Sequence, residues 1–227
     1  MKTLALVPAR GGSKGILGKN LKVLGGRPLI VWTIDELKKS RFRFDIVCSS
    51  DHDETLRLAK ATGVHFIHKR SSQLSQDSSG MFDVVKDIAE DSRYTVYDGF
   101  MILQPTSPFR TAANIDAFYD FVERKQPDSA VTVSRVNEHP NWMFYKDSID
   151  RLRPVLQDEL CSRRQDLPEV YKLNGAAFWV SRGWIERSHA LVAEGTLGVE
   201  IEGMCALDID NERDWEEAVQ LADLNLN

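Results

Sequence analysis

Short apolar runs rich in β-branched residues alternate along this chain with segments whose apolar residues recur at helical spacing, and that alternation leaves few folds open. The runs are residues 3–8 (TLALVP), 45–49 (DIVCS), 64–68 (VHFIH), 100–104 (FMILQ), 130–134 (AVTVS) and 176–180 (AAFWV). Runs of this kind, with little polar interruption, are what strands covered on both faces look like. Between them Ile30, Ile34 and Leu37 share one helical face, and Ile115, Phe118, Tyr119 and Val122 share another. Trp215, Ala218, Val219 and Ala222 repeat the spacing near the end. Strands joined by helix-length connections pair in parallel through right-handed crossovers. The expected fold is α/β: a doubly wound, mostly parallel sheet in one domain over residues 1–227. Ligands of such sheets bind beyond the carboxyl ends of the strands, which directs attention to the loops after Pro8, Ser49, Gln104 and Ser134. Residues 137–172 break the rhythm with charge, proline and aromatic residues and no sustained period; this stretch reads as an inserted lid or dimerisation arm.

Composition narrows the partners. A net charge of −5 argues against a general nucleic-acid binder, yet the charge is unevenly distributed. Residues 1–43 hold ten Lys and Arg against Asp35 and Glu36, a net of +8, which leaves −13 for residues 44–227. Cys48, Cys161 and Cys205 form no C-x-x-C pair and suggest neither a disulfide framework nor a zinc knuckle. The apolar opening is too short for a secretory signal and no run is long enough to span a bilayer, so a soluble cytoplasmic protein is expected.

Four motifs are able to carry chemistry. The first, PARGGSKGILGKN, follows the first strand: its glycines let backbone N–H groups approach phosphate oxygens, and Arg10, Lys14 and Lys19 are suited to neutralise a polyphosphate. It is not a Walker A loop, since Ser13 stands where that pattern needs glycine and Asn20 where it needs Ser or Thr. Nor is it a dinucleotide fingerprint, because no G-x-G occurs in it. The second is LDIDNERD. If residues 206–209 end a strand, Asp208 and Asp210 share a face, and two converging carboxylates call for a divalent cation between them. Helix capping accounts for Glu212 and Asp214 but not for Asp208. The third, LQPTSPFR, stiffens the loop that carries Gln104, Thr106 and Ser107. The fourth is CSRRQDLP, followed by KLNG, where adjacent arginines are able to fork onto a carboxylate.

In order and spacing these motifs resemble the acylneuraminate cytidylyltransferase (CMP-sialic acid synthetase) family across nearly the whole chain. The resemblance implies a nucleotide-diphospho-sugar transferase-like fold and a homodimer, with a dimer of dimers as a further possibility. It also implies an Mg²⁺-dependent enzyme that joins CTP to a nonulosonic acid and releases pyrophosphate. By motif position, Arg10 and Lys19 look like triphosphate ligands within a loop that also includes Gly11, Gly12, Ser13 and Lys14. Asn20, Arg70 and Ser79 are similar to further nucleotide contacts, and Gln104 and Arg164 to the sugar-binding residues. Asp208 and Asp210 look like the metal pair, which makes Arg10, Lys19 and Asp210 the implied catalytic set.

Two departures bear on specificity. Ser78 and Ser79 are followed by Gly80 and Met81, where the family shows more hydroxyl residues. Trp142 stands where sialic acid enzymes often carry lysine; it fits a sugar with fewer hydroxyls, such as legionaminate, and equally a packed dimer interface. No histidine lies in a shared motif; His52, His65, His68 and His189 read as surface or partly buried structure. The competing readings are a nucleotidyltransferase for another nucleotide or acidic sugar, and a non-catalytic nucleotide sensor.

Overall fold

A computed structural model describes the chain except residues 13, 14, 77, 78, 157–162, 164, 166, 226 and 227. The chain order is β1 (Thr3–Pro8), β2 (Val23–Leu24), β3 (Arg27–Pro28), α1 (Leu29–Lys39), β4 (Asp45–Ser50), α2 (Asp53–Thr62), β5 (Phe66–Lys69) and α3 (Met81–Glu90). There follow β6 (Gly99–Ile102), α4 (Ala112–Lys125), β7 (Ser129–Arg135), β8 (Phe144–Lys146), β9 (Leu152–Pro154), β10 (Tyr171–Ser181), α5 (Arg182–Arg187), β11 (Leu197–Glu200) and α6 (Glu212–Asn225).

Seven strands form the central sheet in the order β11-β7-β10-β6-β1-β4-β5. Side-chain alternation divides the buried runs between two layers. Ala5, Val7, Ile46, Cys48, Met101 and Leu103 pack on one face with Ile30, Ile34, Leu37, Phe118 and Val122 of α1 and α4. Leu4, Leu6, Val47, Phe100 and Ile102 face the other way, against Val84, Val85 and Ile88 of α3 and Trp184 of α5. Both faces are covered, which is why these strands carry almost no polar residues.

Three expectations need correction. Residues 176–180 do not join the sheet in parallel, since β10 pairs antiparallel with both β6 and β7. The connection ahead of it is the irregular arm, not a crossover helix, so the chain enters the sheet from the opposite end. Residues 206–209 end no strand: Gly203–Ala206 is a 3₁₀ turn, and the segment after it stands outside the sheet, where Ile209 N–H donates to the Thr106 carbonyl at 2.9 Å. Val219 is 37% exposed, so the buried stripe of α6 narrows to Trp215, Ala218 and Ala222. The strand β11 (LGVE) pairs parallel with β7 at the sheet edge, and its short mixed sequence carries no strand signal.

The arm holds a 3₁₀ turn at Pro140–Trp142 and the two-stranded hairpin β8–β9. Its apolar residues Trp142, Met143, Phe144, Tyr145, Ile149 and Leu152 are all 40–65% exposed.

The chain builds β1, β4 and β5 outward in one direction, then returns to add β6 on the other side of β1. The strand order therefore reverses between β1 and β6, and the loops that follow these two strands diverge around a crevice.

Candidate active site

That crevice is a cleft of about 440 Å³. Pro8, Arg10, Gly15, Lys19 and Asn20 line it from the loop after β1, and Gln104, Pro105 and Thr106 from the loop after β6. Arg70 and Met81 close one side, Asp208 and Asp210 the other. The topology thus gathers residues separated by up to 202 positions in the chain, and the basic start and acidic end meet across one cavity.

The loop after β1 is braced by its own polar groups. Gly11 N–H donates to Asp51 Oδ1 at 2.7 Å, and Asn20 Nδ2 donates to the Arg10 carbonyl at 2.9 Å. Lys19 is buried; its Nζ donates to the Ile209 carbonyl and lies 3.5 Å from Asp210 Oδ1. This lysine joins the phosphate-type loop to the acidic segment. Gly15 permits the same approach through backbone: a Cβ there would stand 1.9 Å from the Asp210 carbonyl oxygen, a distance no side chain survives.

The acidic segment is set by a small separate core. Ile209 is fully buried with Ile16, Leu24, Phe109 and Trp215, which fixes the residues on either side of it. The helix start then uses its own cap: Asn211 Oδ1 accepts from Arg213 and Asp214 N–H, while Asp214 Oδ2 accepts from Asp210 and Asn211 N–H. Glu212 pairs with Lys22 at 3.2 Å. Capping thus absorbs Asn211 and Asp214 and an ion pair absorbs Glu212, which leaves Asp208 and Asp210 for the cleft.

Asp208 is unlike its neighbours. Its Oδ1 is buried with no hydrogen-bond partner. Burial raises its carboxyl above the usual carboxylate range, and the nearby charges of Asp210 and Asp214 add to the rise, while Thr106 and Lys19 oppose it. The orphaned oxygen and the raised pKa both mark a carboxylate short of positive charge. Hard oxygen donors with open positions suit Mg²⁺, which keeps waters and takes phosphate oxygens to complete its shell. No cluster of three His, Cys, Asp or Glu residues occurs among the described residues, so a cation here would depend on such outside ligands.

Gln104 faces Asp208 across the bulge of β10. The register of β10 against β7 shifts between Leu173 and Phe178, and Gly175 sits in that bulge at φ +72°. A Cβ on Gly175 would lie 3.0 Å from Asp208 Oδ2 and 3.1 Å from Gln104 Oε1. Asn174 anchors the bulge through Thr132 Oγ1 at 2.6 Å and Ser134 Oγ at 2.9 Å.

Arg110, the last residue of LQPTSPFR, has a role that its position in the sequence does not announce. It is fully buried; Nη1 donates to the Ala176 carbonyl, both Nη atoms reach the Gln104 carbonyl at 3.3 Å, and Nη2 donates to Thr33 Oγ1 at 2.9 Å. Burial pushes its guanidinium down to about 9. One arginine thereby ties the Gln104 loop to the β10 bulge and to α1.

The remaining expected residues fall in several places. Arg70 lines the cleft while buried, with burial lowering its pKa and Asp51 partly restoring it. Gly11 lines a smaller adjoining pocket with His52 and Thr55, and Gly12 is exposed with open space about it. Ser79 Oγ donates to the Gln73 carbonyl at 2.5 Å, and Met81 lines the cleft nearby. Trp142 lies in the arm and is not among the cleft residues. Ser13, Lys14 and Arg164 lie outside the described residues.

Known proteins resemble the chain throughout its length. It is 31% identical over 229 residues to CMP-N,N'-diacetyllegionaminic acid synthase of Legionella pneumophila, covering 99% of this chain and 98% of that protein. It is 29% identical to N-acylneuraminate cytidylyltransferase of Streptococcus agalactiae serotype V over 95% of the chain, and spans 52% of that longer protein. Among solved structures, a CMP:2-keto-3-deoxy-manno-octonic acid synthetase complexed with CTP matches 99% of this chain and 100% of its own, with a TM-score of 0.74 at 14% identity. A 4-diphosphocytidyl-2C-methyl-D-erythritol synthase from Anaerococcus prevotii matches 98% of this chain and 96% of its own, with a TM-score of 0.64 at 13% identity. At such identities the likeness shows the fold alone. The family match is of another kind: it runs from residue 4 to residue 226, under the description cytidylyltransferase, and so takes in both the basic loop and the acidic segment. The chain belongs to the cytidylyltransferase family and is a nucleotidyltransferase enzyme.

Proposed function

We propose that the protein transfers the cytidylyl group of CTP to the anomeric hydroxyl of a nine-carbon α-keto acid sugar, releasing pyrophosphate. The observation that carries this reading is one cleft lined by Arg10, Lys19, Arg70, Gln104, Asp208 and Asp210. The sugar oxygen forms a bond to the α-phosphorus as the bond from that phosphorus to the bridging oxygen of pyrophosphate breaks, and the hydroxyl proton passes to water. Little covalent help is needed, so position and charge dominate the catalysis. Arg10 and Lys19 counter the charge that grows on the leaving pyrophosphate, and Arg70 binds the nucleotide. Gln104 orients the sugar, and Arg164 takes its carboxylate.

Asp208 and Asp210 are the residues that would hold Mg²⁺. When bound, the ion neutralises phosphate charge and lowers the pKa of a coordinated hydroxyl.

The sugar we favour is of the legionaminate type. The full-length similarity to a CMP-N,N'-diacetyllegionaminic acid synthase supports it; Trp142, read from the sequence as suiting a less hydroxylated substrate, is not among the cleft residues. The arm of residues 137–172 is assigned to homodimerisation, because the β8–β9 hairpin exposes more apolar surface than a solvated excursion requires. No helix among the described residues is long and apolar enough to cross a membrane, and we assign the enzyme to the cytoplasm, where CTP is available. The deciding experiment measures pyrophosphate release over a matrix of four nucleoside triphosphates and several nine-carbon sugars, with and without Mg²⁺. Release confined to CTP with legionaminate, dependent on Mg²⁺, is expected. CTP binding with no release for any acidic sugar would make the protein a sensor, and clear preference for N-acetylneuraminate would reject the legionaminate assignment.

A further inference from the structure

Arg70 reaches the cleft from the end of a buried chain of polar side chains. Its Nε donates to Ser49 Oγ at 2.9 Å and its Nη2 to the Ser49 carbonyl at 3.2 Å, while the residue lines the cavity. Ser49 Oγ lies 2.9 Å from His68 Nδ1, and His68 Nε2 lies 2.7 Å from Asp87 Oδ2. Ser49 is fully buried and His68 is 6% exposed. The order carboxylate, imidazole, hydroxyl is that of a hydrolytic triad, but this hydroxyl has no access to a substrate and its oxygen already accepts from an arginine.

The donors and acceptors admit one arrangement. The Asp87 carboxylate only accepts, so His68 Nε2 carries a proton. In the neutral ring Nδ1 is then an acceptor, and the Ser49 hydroxyl donates its hydrogen bond to it, which turns the Ser49 oxygen lone pairs toward Arg70 Nε. Every link is satisfied in that state. A second proton on the ring would convert Nδ1 to a donor. Ser49 would then face donors on both sides, its own hydroxyl proton would have no acceptor among the described residues, and two cations would stand on either side of one serine.

We propose that His68 is a positioning residue: as the neutral Nε2–H tautomer it orients Ser49, Ser49 locks Arg70 toward the nucleotide, and protonation of His68 releases that lock. The inference rests on the nucleotide-binding role assigned to Arg70. The charged groups around His68 favour the neutral ring. Asp87 on α3 draws its pKa up, but burial outweighs this, and Arg70 and Arg93 add to the fall below the ordinary 6.5. Arg93, in the 3₁₀ turn Ser92–Tyr94, is itself held by Asp91 at 2.6 Å, and β4 presents only the uncharged Ser49. The ring is therefore neutral at neutral pH, and its protonation belongs to the acid side of the histidine range.

Calorimetric titration of the intact protein with CTP, from about pH 5 to pH 8, tests the relay. His68→Leu and Ser49→Ala are each expected to weaken CTP binding about tenfold, the scale of one orienting hydrogen bond to a charged group. The double variant is expected to lose no more than either single one, because both cut the same link. His68→Asn keeps an acceptor for Ser49 but cannot titrate; its affinity is expected to stay within about threefold of the unmodified protein at neutral pH. CTP also takes up a proton in this range, equally for every variant, so the readout is the affinity ratio at each pH. The ratio of unmodified protein to His68→Asn should fall as the solution is acidified. Additive losses in the double variant, or a ratio independent of pH, would mean a merely structural histidine and overturn the relay, and His68→Asn carries that test if His68→Leu does not fold. CTP binding indifferent to every His68 variant overturns the relay alone, whereas no CTP binding by the unmodified protein overturns the functional reading and the relay with it.

Discussion

In the proposed reaction, Asp208 is the residue where stability and function pull in opposite directions. Its folded pKa lies above its unfolded value, so the native state holds the proton more tightly, and stability falls as pH rises from the unfolded toward the folded pKa. Above the folded pKa the carboxylate is charged while partly buried, with Asp210 and Asp214 near it. Asp208→Asn removes that cost, and it is expected to raise the Tm in Mg²⁺-free buffer above pH 7 while cutting kcat about a hundredfold or more. A differential scanning experiment at two pH values, paired with pyrophosphate release, checks both halves; the Tm gain should shrink once Mg²⁺ is added to the unmodified protein. Arg10→Ala and Asp210→Ala are expected to lose kcat on the same hundredfold scale, about 3 kcal/mol, with far-UV spectra unchanged. Asp210 is the safer probe of chemistry because its side chain is 75% exposed and its removal leaves little unpaired beyond Lys19. Arg110 illustrates the reverse case: it touches no cleft atom directly that its carbonyl partners do not already position, yet it holds two loops of the site together.

At the scale of elements, the sheet is regular where the site is absent and irregular where it is present. The bulge in β10 lies against Gln104 and Asp208, and the segment before α6 carries Asp208 and Asp210 to the cleft; each is pinned by a buried residue, Asn174 in one and Ile209 in the other. The hairpin β8–β9 is the element least explained by the fold of one chain. Phe144 is 40%, Tyr145 56% and Leu152 64% exposed, which isolated hairpins in water do not sustain at low cost. Replacing Phe144 and Leu152 together with Glu is expected to convert a dimer to a monomer in multi-angle light scattering without loss of secondary structure. An unchanged dimer would move the interface elsewhere, and a protein already monomeric would remove the assignment.

For the whole molecule, the cleft is the meeting place of a +8 opening of 43 residues and an acidic end, joined by Lys19 to Ile209 and Asp210 and by Lys22 to Glu212. A ligand that spans both halves stabilises their contact. CTP with Mg²⁺ is expected to raise the Tm by several degrees at a hundred times its Kd, about 2.7 kcal/mol by mass action, and CTP with a chelator by clearly less. Equal shifts with and without the metal would count against Asp208 and Asp210 as its ligands. Much of this organisation is legible in the chain. Buried strands and amphipathic helices announce themselves because burial imposes a period of two or 3.6 on apolar residues, and the glycine-rich loop and paired acids stand out because the phosphate and metal binding proposed for them require unusual local composition. What escapes is whatever depends on contacts between distant segments. The direction of β10 follows from where the arm leaves the chain in space, and the placement of residues 207–210 from Ile209 finding a core beside Trp215. The histidine that appears in the sequence as ordinary structure acquires its setting only when β4, β5 and α3 bring Ser49, His68 and Asp87 together. Local pattern determined the fold class and the polar motifs, because those are written by neighbours along the chain; tertiary structure alone decided which polar groups were left unpaired in the cleft, because pairing is settled by distance in space.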